Sequence, residues 1–154
     1  MAGKVETRLK ELGIVVPAVV PPAANYVPGV ITGNLLFTAG QLPMQDGKLA
    51  TAGKVGGEVS VETAAVAAQL CALNVLAVAK ASLGSLERIK RLVKVVGFIN
   101  GVPDFADHAK VMNGASDFFV SVLGEAGKHA RSSVGMGSLP FNASVEVEAI
   151  FEIE

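Results

Sequence analysis

An α+β fold, a mixed sheet with two helices packed on one face, is what this 154-residue sequence predicts. Three patterns lead there. Strand-like and helix-like segments follow one another in the order ββ-α-β-α-ββ, without internal repeats. The last segment alternates almost strictly: Val145, Val147, Ala149, Phe151 and Ile153 point one way, and Ser144, Glu146, Glu148, Glu152 and Glu154 the other, with Ile150 the exception. Such alternation marks a strand buried on one side, so the sheet should carry helices on one face and be more polar on the other. The stretch from Ser60 to Ser82 is alanine-rich on most sides, which suits a helix lying close against a sheet. The length fits one domain, residues 1–154, with 1–20 as an N-terminal extension.

Taken in order, Val5 to Leu12 forms a short helix that Gly13 stops. Pro17, Pro21, Pro22 and Pro28 then exclude helix as far as Gly29. "GVITGNLLFTAGQLP" reads as two short strands around a Gly33-Asn34 turn, and Gln45 to Gly57 as a looser glycine-rich loop. Ser60 can cap the long helix, Glu62 suits its N-terminal dipole, and Gly84 ends it. "RIKRLVKVVGFIN" is a strand rich in β-branched residues. Asp104, after Pro103, caps a second helix that runs to about Leu123, where Gly124 and Gly127 break it. "HARSSVGMGSLPFNASVEVEAIFEIE" closes the pattern as a hairpin of two strands around a turn holding Pro140 and Asn142.

The composition narrows the function classes. Hydrophobic residues make up 51% and charged residues 18%, so much of the surface should be hidden between subunits. A net charge of −1 and a pI near 6.1 leave no basic stripe for nucleic acid, and with one tyrosine and no tryptophan stacking platforms are scarce. A lone cysteine, Cys71, suits a reducing compartment and reads as core. The charged opening MAGKVETRLKEL is unlike a secretory signal, and the apolar run from Ala64 to Ala79 is short and interrupted by Gln69 and Asn74. A cytoplasmic protein without a membrane span is expected. No CxxC or HExxH spacing suggests a metal, and "GEAGKHA" lacks the spacing of a phosphate loop.

"NYVPGVITGNLLFTAGQLP", "NGASDFF" and "ARSSVGMGSLPFNASVEVEAI", in that order and with fitting intervals, resemble the RidA (YjgF) family of reactive-intermediate deaminases. The likeness runs from about Tyr26 to Phe151, and the N-terminal helix looks like the extension of a longer branch, parts of which are labelled endoribonuclease-like or chorismate-mutase-like. The resemblance implies a chorismate-mutase-like, homotrimeric α+β fold with clefts between subunits. It also implies hydrolysis of enamines and imines such as 2-aminoacrylate to 2-keto acids and ammonia, with no metal or organic cofactor. It implies roles for matching residues: Arg131 holding the substrate carboxylate, Glu146 as the acidic residue of the last strand, and Asn113, Tyr26 and Gly40 lining the cleft. The chain departs from the family pattern at Ser133, where many members have cysteine, at Gly135, at Ala39 and at Ala24-Asn25. Carboxylate binding survives these departures; the identity of the substrate side chain does not follow from them.

The chemistry suits the residue types. A planar guanidinium donates two parallel bonds to a carboxylate, which a lysine cannot do. A carboxyl group such as Glu146 could hold the attacking water or move its proton, its pKa raised by burial or lowered by Arg131 nearby. Ser133, two residues beyond Arg131 on the same strand face, could add a hydrogen bond. Plainer roles stand beside these: Arg131 pairing across an interface, Asn113 bonding backbone, Tyr26 packing, Glu152 solvated, His129 at a rim and His108 structural. Two other functions remain open on the sequence: a trimer that only binds small carboxylates, and an endoribonuclease.

Overall fold

Register and burial decide which side of the sheet each functional residue faces. The computed structural model describes residues 3–154. In chain order these form α1 (Lys4–Glu11), β1 (Gly29–Thr32), β2 (Leu35–Thr38), β3 (Met44–Gln45), β4 (Lys48–Leu49), α2 (Val61–Leu83), β5 (Ile89–Asn100), α3 (His108–Leu123), β6 (Ala130–Met136) and β7 (Val145–Ile153). One five-stranded sheet has the order β1-β2-β7-β5-β6, and β3 and β4 form a separate ribbon. α2 and α3 pack together on one face.

Local chemistry explains most boundaries. Ser60 Oγ accepts from the Thr63 N–H at 3.1 Å, so the expected cap of α2 forms, and Gly84 ends the helix at φ 79°. The helix is long and apolar enough to meet the composition of a membrane span, but half of that stretch is buried against the sheet and α3. Gly114 of α3 lies on the Ala65 backbone of α2, and a Cβ there would collide with the Ala65 carbonyl. Gly97 of β5 likewise makes room for the Met112 side chain. The N-terminal segment belongs to the body of the fold: Leu9 is buried, and Glu87 Oε1 accepts from the N–H groups of Val5 and Glu6 at 2.8 and 3.0 Å. A carboxylate from elsewhere in the chain thereby caps α1, whose own N-cap, Gly3, has no side chain to do so.

Three expectations need correction. The final two strands are not a hairpin: β6 pairs with β5 in parallel, through the α3 crossover, while β7 lies antiparallel between β2 and β5. β6 turns Arg131 and Ser133 to the helix face, as their pairing with Val95 and Gly97 shows. In the middle of the sheet that row would bury a guanidinium beneath the helices, whereas at the edge the charge stays accessible. β7, with five buried apolar residues in a row of alternates, takes the central place. Asp104 does not cap α3. The helix starts four residues later, because Pro103 and Asp104 lie in a turn closed by the Phe105 N–H on the Val102 carbonyl. The glycine-rich loop holds the β3–β4 ribbon, turned at Asp46 and Gly47 with φ of 53° and 75°.

The face opposite the helices is also less polar than β7 alone suggests. Val30, Phe37 and Val134 are exposed there, alongside half-buried Val96, Phe98 and Ile150. Glu152 on that face is not simply solvated. It takes Arg91 Nε at 2.9 Å and Lys90 Nζ at 3.7 Å.

Candidate functional site

The predicted residues fall into two clusters. The first lies on the sheet edge, between β6 and α3. Arg131 Nη1 donates to Asn113 Oδ1 at 2.9 Å and to Ser116 Oγ at 3.0 Å. Asn113 and Ser116 are three residues apart on α3, so they share one helix face above the strand. Nε and Nη2 of Arg131 take no hydrogen bond among the described residues, nor does any carboxylate there pair with the guanidinium. The Nε–Nη2 edge is the one that can receive a carboxylate in two parallel bonds. Ser133 follows Arg131 on the same face, its buried Oγ without a partner among the described residues. His129 precedes it, with Nδ1 2.6 Å from the Gly127 carbonyl and Nε2 2.9 Å from Ser116 Oγ.

The second cluster lies elsewhere. Glu146 pairs with Phe98 on the face away from the helices, and its carboxylate rests against Gly40, where a Cβ would collide with it. The chain at Gly40 is held there by the exchange of bonds between Gln41 and Val147, at 2.8 and 3.0 Å. Burial pushes the Glu146 carboxyl above its ordinary range, and the charge of Glu148 on the same face pushes it further. Arg131 contributes nothing to that shift. Tyr26 and Gly40 line a groove of about 730 Å³ shared with the proline-rich stretch, the β3–β4 ribbon, α2 and Phe141. Phe141 stands 84% exposed at φ 57°, a left-handed conformation that is costly for an aromatic residue.

Arg131 and Glu146 therefore do not sit on neighbouring strands. β5 separates them, and they face opposite sides of the sheet. One small molecule cannot touch both in a single chain. Sequence reading brought Arg131, Asn113 and Ser133 together correctly, and Glu146 with Gly40, but as one site rather than two halves. It passed over Ser116 and placed His129 at a rim. Their signal was the spacing: Ser116 lies three residues beyond Asn113 on a helix, and His129 two before Arg131 in an extended chain. Among the described residues, no three His, Cys, Asp or Glu side chains converge as a metal site requires.

A five-stranded mixed sheet with a parallel β5–α3–β6 edge, β7 inserted antiparallel between β2 and β5, and two helices on one face is an α+β fold. The chain belongs to the YjgF/chorismate-mutase-like endoribonuclease family, whose model matches residues 6–153. It is 44% identical over 153 residues to protein TCP17 of Trypanosoma cruzi, covering 99% of this chain and 96% of that one. It is 33% identical over 134 residues to the 2-iminobutanoate/2-iminopropanoate deaminase of Escherichia coli K12, covering 87% and 89%. Among solved structures, Atu1372 of Agrobacterium tumefaciens, a protein of unknown function, superposes with a TM-score of 0.91 at 54% identity, covering 98% and 94%.

Proposed function

We propose that this chain hydrolyses 2-imino acids and their enamine tautomers to 2-keto acids and ammonia, in clefts that two copies of a homotrimer build together. The observation that carries this reading is Arg131, a charge pinned through Nη1 by two neutral acceptors while its carboxylate-binding edge has no partner among the described residues. The named activity of the E. coli relative supports the substrate class, since 2-iminobutanoate and 2-iminopropanoate carry a carboxylate beside the reacting carbon.

In the proposed cleft the carboxylate lies on the Nε–Nη2 edge of Arg131 and the imine carbon faces Glu146 of a second copy. Water adds to the C=N carbon. One of its protons passes to nitrogen to give a carbinolamine; the second passes from the new hydroxyl to nitrogen as the C–N bond breaks, the C=O bond forms and ammonia leaves. Burial and the Glu148 charge raise the Glu146 pKa, which makes its carboxyl a better proton carrier for these transfers than an exposed glutamate. The buried Ser133 Oγ, without a partner among the described residues, is an auxiliary hydrogen-bonding group beside Arg131 once a ligand opens a way to it. The separation of the two half-sites supports an assembly of copies, as do Val15, Val20, Tyr26, Val27 and Phe141, which are large apolar side chains left exposed.

The test is a coupled assay in which an amino-acid oxidase generates the imine and keto-acid release is followed. Arg131→Lys keeps the charge but loses the two-pronged contact, and should lower kcat/KM by about 10-fold or more, the equivalent of one charge-assisted bond. Glu146→Gln should lower kcat while leaving pyruvate binding within about threefold. If Arg131→Lys turns over like wild type, the reading fails. A second reading has its own support: Arg131's half-site alone suffices to bind a carboxylate. Pyruvate binding by calorimetry without accelerated imine hydrolysis would favour that non-catalytic binder.

A further inference from the structure

With the His129 ring neutral, the hydrogen bonds behind Arg131 have one consistent direction. The Gly127 carbonyl can only accept, so His129 Nδ1, 2.6 Å away, carries the ring proton. In the neutral ring Nε2 is then bare and must accept the Ser116 hydroxyl proton across 2.9 Å. With its hydrogen committed to His129, Ser116 Oγ presents only lone pairs to the second neighbour, Arg131 Nη1 at 3.0 Å. Asn113 Oδ1 receives the other Nη1 hydrogen at 2.9 Å. The guanidinium plane is thus set by two acceptors on α3, and His129 fixes the hydroxyl hydrogen of one of them so that its lone pairs face Nη1. The histidine is itself held by the Gly127 carbonyl and by the edge of Phe119, ring centroids 6.1 Å apart at 78°.

We propose that His129 is a positioning residue for Arg131. It orients the Ser116 hydroxyl so that the arginine turns its Nε–Nη2 edge outward, towards a ligand carboxylate. The inference rests on the function proposed above and adds to it a residue that touches neither substrate nor reacting atoms. Without the histidine, the Ser116 hydroxyl hydrogen has no fixed acceptor, the direction of the Oγ lone pairs is no longer set, and Arg131 keeps one oriented acceptor instead of two. Orientation of a receptor group is lost in ligand binding before it is lost in chemistry.

The experiment compares His129→Leu, His129→Gln and Ser116→Ala in the coupled imine assay and in pyruvate calorimetry, with thermal melting as a check on folding. His129→Leu should raise KM and the pyruvate Kd about 10-fold with kcat within about twofold; 10-fold corresponds to about 1.4 kcal/mol. His129→Gln places an amide oxygen near the former Nε2 and should restore both constants to within about threefold. The double variant His129→Leu/Ser116→Ala should be no worse than Ser116→Ala alone, because both act through the same hydroxyl. Additive losses, or failure of glutamine to rescue where leucine impairs, would overturn the proposal. So would wild-type constants in His129→Leu and Ser116→Ala while Arg131→Lys remains impaired. An Arg131→Lys variant as active as wild type would instead remove the underlying function. Should the leucine variant not fold, His129→Gln and Ser116→Ala decide: the first must behave like wild type and the second must lose affinity.

Discussion

Glu146 carries its charge at a cost to the folded chain. Burial and the neighbouring Glu148 both raise its pKa, so the native state holds this proton more tightly than the unfolded state does. The stability linked to that proton is fully present below the unfolded value of about 4.3 and is lost as pH rises through the higher folded value. Glu146→Gln fixes the neutral shape. Denaturant unfolding should find the variant more stable than wild type at pH 8 and indistinguishable from it at pH 3.5; a variant less stable at pH 8 would mean that the carboxylate has a compensating partner. Gly40 tests the same carboxyl from the other side. Gly40→Ala puts a methyl group where Glu146 lies and should displace the acid, lowering imine turnover about 10-fold or more while pyruvate binding at Arg131 changes little. Cys71 is the quieter neighbour. Its thiol is wholly buried, which pushes its pKa well up, with the Glu146 charge adding to the effect. It should resist alkylating reagents at pH 8 in the native protein and react at once in denaturant.

At the scale of elements, the tightest joint is the crossing of α2 and α3. Gly114→Val would drive a branched side chain into the Ala65 backbone, which cannot swing aside as a side chain would. Overpacking of this kind costs about 1–3 kcal/mol, and for a chain of this length the melting temperature should fall by about 3–10 °C. The helices themselves were legible because their signals are local: Ser60 and Gly84 punctuate α2, and both act as read. The β3–β4 ribbon was read as a loop: Asp46-Gly47 is a two-residue turn signal, but strands of two residues leave too short an alternation to notice. Asp104 misled because Pro-Asp opens turns as readily as helices. The order of the last strands lay beyond reach for a different reason. Alternation tells which face a side chain occupies and says nothing of which strand lies beside it. That is why the face each of Arg131 and Glu146 occupies follows from the sequence while their separation across β5 does not.

For the whole molecule, the two half-sites and the exposed apolar side chains support assembly, and the proposed homotrimer predicts that light scattering at micromolar concentration should give a mass near three chains. A monomeric mass would leave Arg131 without an acid to work beside. Assembly should persist at high salt, since the exposed residues concerned are apolar rather than charged. The position of β7 has a further consequence, one of time rather than space. It is the last of these strands to leave the ribosome and yet lies third of five in the sheet, with β2 on one side and β5 on the other. Until it arrives, the β1–β2 pair and the β5–α3–β6 unit have no strand between them, and each presents an unpaired apolar edge. Synthesis must therefore run almost to Ile153 before the sheet can close. A ribosome stalled a few residues short of that strand holds two open halves of one sheet, so this chain should lean on holding chaperones during synthesis more than its small size suggests.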